Sequence, residues 1–287
     1  NNKTVRTSLT NHANAFTVFK DRTASCGKKV FTGKIEVGGA EYEYYSINDT
    51  ILRQGSVSQE ANLYTARYKK TPHPGTPSLT NPLLKKALYV VAKNTSGNPM
   101  TVNDGWFEAT VTRIDDGRTT PLAEAPYLTT LDEWAVQLTG ATAEAFAAKL
   151  SVGSTLRIRA DVAVDGVTKP IVTQNSTMYH LLADGVDKNL SSSVYDPMTY
   201  VGVDQAGTKV HFFVIDGRQD WVSMGVKFYE MVRIAQKFGC WNVTRFDGGG
   251  STTLWLYTDG AGKVVNKPSD SKGERSCMNY MHVRIKQ

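Results

Sequence analysis

Residues 200–257 read YVGVDQAGTKVHFFVIDGRQDWVSMGVKFYEMVRIAQKFGCWNVTRFDGGGSTTLWLY, and this stretch decides the fold. Tyr200 to Val203, a turn at Asp204-Gln205-Ala206-Gly207 and the apolar run Lys209 to Ile215 form a β-hairpin. Val222, Val226, Tyr229, Val232 and Ala235 then recur at helical spacing, and Gly239 stands just past the last turn as a stop. Strands follow at Asn242 to Phe246 and Thr252 to Tyr257, with a last one expected from Met278 to Ile285. Strands and helix alternating in this way predict a β-rich α/β (α+β) fold with a mixed, largely antiparallel sheet and flanking helices.

Upstream, Thr17 to Lys20 and Glu41 to Tyr45 are short β-rich runs broken by Gly33, Gly38 and Gly39, so extra strands are expected at the N-terminal side. KKTPHPGTPSLT at 69–80 reads as an irregular loop carrying His73. Asn81-Pro82 opens a predicted helix to about Lys93, with Leu84, Ala87, Leu88 and Val91 on one face. Met100-Thr101-Val102 predicts a short strand delivering Asn103, and 129–150 predicts two short helices around Gly140. Leu156 to Val164 alternates as a half-buried strand and meets a hairpin signal at Asp165-Gly166. The division expected is an N-terminal β-rich extension over 1–80 and a catalytic region over 81–287.

The 287 residues include 40% hydrophobic ones and no apolar tract of membrane-spanning length, which excludes disorder and a spanning helix. A net charge of +6 favours anionic partners, yet the basic residues are scattered without a block, which argues against nucleic acid. Three cysteines with no CxxC pair exclude a zinc or thioredoxin-like motif. A chain that starts at Asn1 and carries no signal segment suits the mature form of an exported, periplasmic, cell-surface or secreted protein.

The chemistry gathers late in the chain. Asp247-Gly248-Gly249-Gly250-Ser251 lies between two strands, where glycines let a ligand reach the main chain. The stretch differs from the G-x-S-x-G elbow because Thr253 replaces the final glycine and a strand follows. Asp216-Gly217-Arg218 ends one strand and Asp247 another, so the two carboxylates are expected at one sheet edge. Glu274-Arg275 adds a third carboxylate and a second guanidinium. Paired carboxylates suit glycoside hydrolysis, and arginines suit phosphate. The same three carboxylates could take a hard divalent ion, so no cofactor is fixed.

VIDGRQD (214–220), FDGGGSTTLWL (246–256) and VVNKPSDSKGERSC (264–277), in that order, resemble the phosphodiester glycosidase family, and TVNDGWF (101–107) is a thinner upstream match. The chain departs from the family pattern at Met198, where an arginine usually precedes the threonine, and at Asp104, where a glycine follows Asn103. The resemblance implies hydrolysis of a sugar-1-phosphodiester, or of a phosphate-containing glycan, at the anomeric C1–O bond. It gives the carboxylate roles to Asp247 and Glu274, with Asp216 supporting. Arg218, Arg275, Ser251 and the amides of Gly248, Gly249 and Gly250 would hold the phosphate, with Asn103 and Thr199 also contacting substrate. Which carboxylate is acid and which base stays open. A non-catalytic carbohydrate-binding or envelope-polymer protein on the same scaffold, and a metal-dependent attack at phosphorus, are the other readings.

Overall fold

The computed structural model describes residues 7–8, 14–48, 61–66, 82–97, 100–258, 260–277 and 280–283. The 69–80 loop with His73, the cap residue Asn81 and half of the predicted last strand lie outside them; residues 280–283 have no regular structure.

In chain order the strands are β1 (Thr7–Ser8), β2 (Asn14–Phe19), β3 (Ala24–Val37), β4 (Ala40–Tyr44), β5 (Ser46–Ile47), β6 (Ala61–Thr65), β7 (Leu88–Asn94), β8 (Trp106–Asp116) and β9 (Glu133–Leu138). They continue as β10 (Thr155–Val164), β11 (Ile171–Thr177), β12 (His180–Ala183), β13 (Val186–Asp187), β14 (Met198–Val203), β15 (Val210–Ile215), β16 (Asn242–Gly248), β17 (Trp255–Thr258) and β18 (Ala261–Val264). The helices are α1 (Pro82–Lys85), α2 (Gly140–Ala147) and α3 (Phe228–Lys237), with a 3-10 turn at Gly249–Ser251. Pairing is largely antiparallel, with β5 and β6 parallel, so the mixed, sheet-dominated class expected is the one observed.

The chain divides into two compact units, residues 1–11 with 29–172 and residues 12–28 with 173–287. In the first, the sheet order is β1-β5-β6-β9-β7-β8-β10-β3, with β4 also on β3. Two predicted helices are strands here. Leu88 to Asn94 is β7, paired with β8 on one side and β9 on the other, and the predicted helix stops at Lys85. Likewise Glu133–Leu138 is β9, and only the second predicted helix of the 129–150 stretch exists, as α2. Both strands are buried almost throughout, Val90 and Val136 completely. A strand covered on both faces loses polar/apolar alternation, and its short apolar run matches either period. The β10 prediction holds, and Asp165 and Gly166 take φ values of 48° and 78°, the left-handed pair that a two-residue hairpin turn requires.

In the second unit, β2 pairs with residues 24–28 of β3, and a five-stranded sheet runs β13-β12-β16-β14-β15. The β14–β15 hairpin is as expected. Helix α3 places Phe228, Met231, Val232 and Ala235 in one core with Leu182, Tyr200 and Val243. It begins at Phe228 rather than near Val222 because residues 219–223 close a turn on themselves. Gly225, at φ 107°, also lies so close to the Asp196 backbone that no side chain fits. The Glu230 carboxylate accepts a hydrogen bond from Lys227 N at 2.9 Å, satisfying one first-turn amide, and Gly239 ends the helix at φ 76°.

Candidate functional site at the β14–β16 edge

The site follows from register. Strand β14 is antiparallel to both neighbours, and its first residue, Met198, faces Ile215 of β15 on one side and Gly248 of β16 on the other. β15 and β16 therefore end at the same level, about 10 Å apart at two inter-strand spacings. Asp216 follows the one and Asp247 closes the other, so both carboxylates arrive at one edge, as the sequence suggested.

Asp216 is an acceptor for the loop beyond β18. Its carboxylate takes a hydrogen bond from Asn266 Nδ2 at 2.9 Å and from Lys267 N at 3.0 Å to each oxygen. Asn266 also bonds Leu254 N and Thr252 O, and Gln219 Nε2 reaches Lys267 O at 2.6 Å. The loop carrying Asp270, Glu274 and Arg275 is thereby tied to the end of β15.

Each glycine of the Gly248-Gly249-Gly250 run faces a different charged side chain. A Cβ on Gly248 would lie 3.1 Å from the Arg245 guanidinium and 2.7 Å from Pro197 O. On Gly249, whose φ of 63° already favours glycine, it would lie 3.2 Å from Arg218. On Gly250 it would overlap the Asp270 carboxylate. The glycines thus admit side chains from three directions to the turn. Two of their amides are engaged internally: Gly248 N donates to Asp247 Oδ1 at 2.8 Å and Gly249 N to Pro197 O at 2.9 Å.

Ser251 Oγ donates to the other Asp247 oxygen at 2.9 Å, so Asp247 is oriented by its own turn while remaining exposed. Arg218, itself at φ 57°, pairs through Nε with Asp196 at 2.7 Å. Arg275 grips Asp270 with Nε and a terminal nitrogen at 2.7 and 2.8 Å. That fork holds the Asp270 carboxyl below the usual carboxylate range, with the Arg218 charge adding to the effect. Trp255 Nε1 donates to Glu274 Oε1 at 2.8 Å, fixing the third carboxylate beside an exposed indole. Thr199 sits in β14 opposite Val214 and is half-buried.

Asn103 lies in the other compact unit. No strand forms at 100–102; residues 102–103 turn, with Asn103 at φ 61°. Its amide is committed locally, with Nδ2 donating to Val162 O and Lys169 O and Oδ1 accepting from Val162 N. Among the described residues, no group of three or more His, Cys, Asp or Glu side chains stands close enough to hold a metal ion, and Asp216, Asp247 and Glu274 do not form one.

Sequence reasoning missed Asp196, Asn266, Asp270 and Trp255, the partners that orient the arginines, Asp216 and Glu274. Asn266 and Asp270 stand in the 264–277 motif, where only Glu274 and Arg275 were singled out. Trp255 stands in the 246–256 motif as a strand residue, and Asp196 carried no local signal.

Asp216, Asp247, Arg218 and the Asp270–Arg275 pair gather around one glycine turn at this sheet edge. The chain belongs to the phosphodiester glycosidase family, whose model matches residues 96–284. No curated protein sequence matches it. Among solved structures, a Burkholderia pseudomallei protein described as exported shares the fold at a TM-score of 0.61 and 17% identity, covering 94% of this chain and 57% of its own. A Synechocystis protein described as hypothetical aligns at a TM-score of 0.53 and 18% identity, over 84% of this chain and 41% of its own. The catalytic domain of zebrafish N-acetylglucosamine-1-phosphodiester α-N-acetylglucosaminidase aligns over 94% of this chain and 78% of its own at 14% identity, but its TM-score of 0.29 is too low to bear on the fold. The chain therefore spans about half the length of the first two structures it matches.

Proposed function

We propose that the protein hydrolyses the anomeric C1–O bond of a sugar-1-phosphodiester, releasing free sugar and a phosphomonoester. The observation that carries this is the convergence of Asp247, Arg218 and the Asp270–Arg275 pair on one glycine turn, in a chain of the phosphodiester glycosidase family. Phosphate leaves readily, so the demand falls on stabilising an oxocarbenium-like centre and placing water. Asp247 and Glu274 take the carboxylate roles. Asp216 acts through the Asn266–Lys267 loop it anchors. Arg218, Arg275 and Ser251 hold the phosphate; because Gly248 N and Gly249 N are engaged, side chains carry more of that load than main-chain amides do. The catalytic part falls within 81–287, and an exported location goes with it, as the Burkholderia pseudomallei protein of similar fold is so described.

The test is mass-spectrometric product analysis after incubating the protein, and its Asp247→Asn variant, with a panel of sugar-1-phosphodiesters in ¹⁸O water. Label in the free sugar, with turnover lost in the variant, supports C1–O cleavage. Label in the phosphate would mean attack at phosphorus. Sugar binding without turnover would mean a binding protein.

A further inference from the structure

We propose that Arg245 is an anion-binding residue of this site, presenting its guanidinium from β16 beneath the glycine turn. Arg245 faces Tyr200 in the β14–β16 register, and its guanidinium carbon lies 5.7 Å from the Tyr179 ring centre and 5.6 Å from that of Phe228. The two rings fix the plane of the group. No carboxylate pairs with it among the described residues, and its Nε is buried without a hydrogen bond. A sealed guanidinium N–H normally finds a carboxylate or a carbonyl, since leaving a charge-bearing donor unmet is costly. Of its three nitrogens only Nε is fully sealed, so the terminal nitrogens remain available to a ligand.

Direction comes from Gly248. A terminal nitrogen of Arg245 stands 3.1 Å from where a Cβ at Gly248 would be, and Met198 Cγ 3.4 Å from the same point. Met198 and Tyr200 are tied to each other by a bond from the Tyr200 hydroxyl to the Met198 sulfur, so the end of β14 has no charge of its own to answer Arg245. Arg218 approaches the next glycine, at the same turn. Arg218 and Arg275 are already paired with Asp196 and Asp270, whereas Arg245 has no carboxylate partner among the described residues. The chemistry it suits is a phosphate or another oxyanion, gripped by a planar fork.

The inference draws on the anion that the proposed reaction requires, but it is tested without turnover. Inorganic phosphate is titrated calorimetrically, at constant ionic strength, into the wild-type chain, Arg245→Gln and Arg245→Lys, with thermal melting of each as the folding check. Wild type should bind, Arg245→Gln about tenfold or more weaker, and Arg245→Lys in between, because lysine keeps the charge and loses the fork. If Arg245→Gln does not fold, Arg245→Lys alone decides. Phosphate affinity unchanged in the folded variants, or no phosphate binding by wild type, overturns the proposal. A dead panel of sugar phosphodiesters together with Arg245-dependent phosphate binding would remove the proposed reaction and leave this inference standing.

Discussion

The Asp270 carboxylate occupies the space that the side chain of residue 250 would need, so Gly250 and Asp270 can exist together only because residue 250 has none. Gly250→Ala should push Asp270 off Arg275 and release the guanidinium. Since both side chains reach solvent, Arg275 at 47% and Asp270 at 33% exposure, stability should change little while turnover falls at least tenfold. Melting and steady-state kinetics on one preparation check this; unchanged kinetics would show that the Asp270–Arg275 fork has no part in the reaction.

Arg275 also sets the pH response of that pair. The Asp270 pKa is lowered, first by the hydrogen bond from Arg275, so the pairing is complete above the ordinary carboxylate value and is lost only as pH falls through the lower folded one. Carboxyl-carbon NMR should give Asp270 a midpoint below 3.8, moving up toward that value in Arg275→Gln. A wild-type midpoint at or above it would mean that the fork is not formed in solution.

Removing the Asp216 acceptor strands Lys267 N and leaves Asn266 Nδ2 with Thr252 O alone. Asp216→Ala should cost about 2 kcal/mol in urea unfolding and loosen the 266–275 loop, whereas Asp216→Asn keeps the shape and should recover part of it. If Asp216→Ala unfolds like wild type but is inactive, Asp216 belongs to the reacting groups rather than to their support.

Glu274→Gln should keep the Trp255 indole bond while removing charge, and a reacting carboxylate lost in this way typically lowers rate by about 10²–10⁴-fold. Trp255→Phe frees Glu274 without neutralising it and should have a smaller effect on kcat. Comparable losses in both variants would point to the indole, not the carboxylate.

Cys26, Cys240 and Cys277 form no disulfide with one another; Cys26 and Cys240 are buried and Cys277 is exposed. Burial pushes the Cys240 thiol up to about 11, which keeps it protonated and unreactive at neutral pH. Alkylation of the folded protein at pH 7.5 should therefore label Cys277 alone, read by peptide mapping. Protection of Cys277 until reduction would instead reveal a disulfide.

What could be read from the chain follows from how each element meets solvent. β10 alternates because one face is less covered, and the β14–β15 hairpin is marked by its turn, so both were legible. β7 and β9 are neighbours in the sheet interior; Leu88 to Ala92 has no charged or amide residue and Trp134 to Leu138 only Gln137, so neither shows the alternation that distinguishes strand from helix, and the adjacent β-branched Val90 and Val91 were the overlooked cue. In the site, the motif carboxylates, arginines and glycines were singled out and the residues that orient them were not. Asp196 meets Arg218 across 22 positions and Asp216 meets Asn266 across 50, distances at which only folding brings them together.

The unit that bears the site is discontinuous: Phe16, Ala24 and Cys26 share a core cluster with Val201 and Val203, and Ala24 N donates to Gly207 O at 2.8 Å. During synthesis these early residues leave the ribosome well before the strands they pack against. The site-bearing core can therefore close only after the strands around Val201 and Val203 have been made, and its long-range pairings should make that closure slow. A fragment beginning at 173 would contain every residue of the proposed β14–β16 edge site and still lack part of its core, so expression of that segment alone should yield aggregate rather than a minimal enzyme.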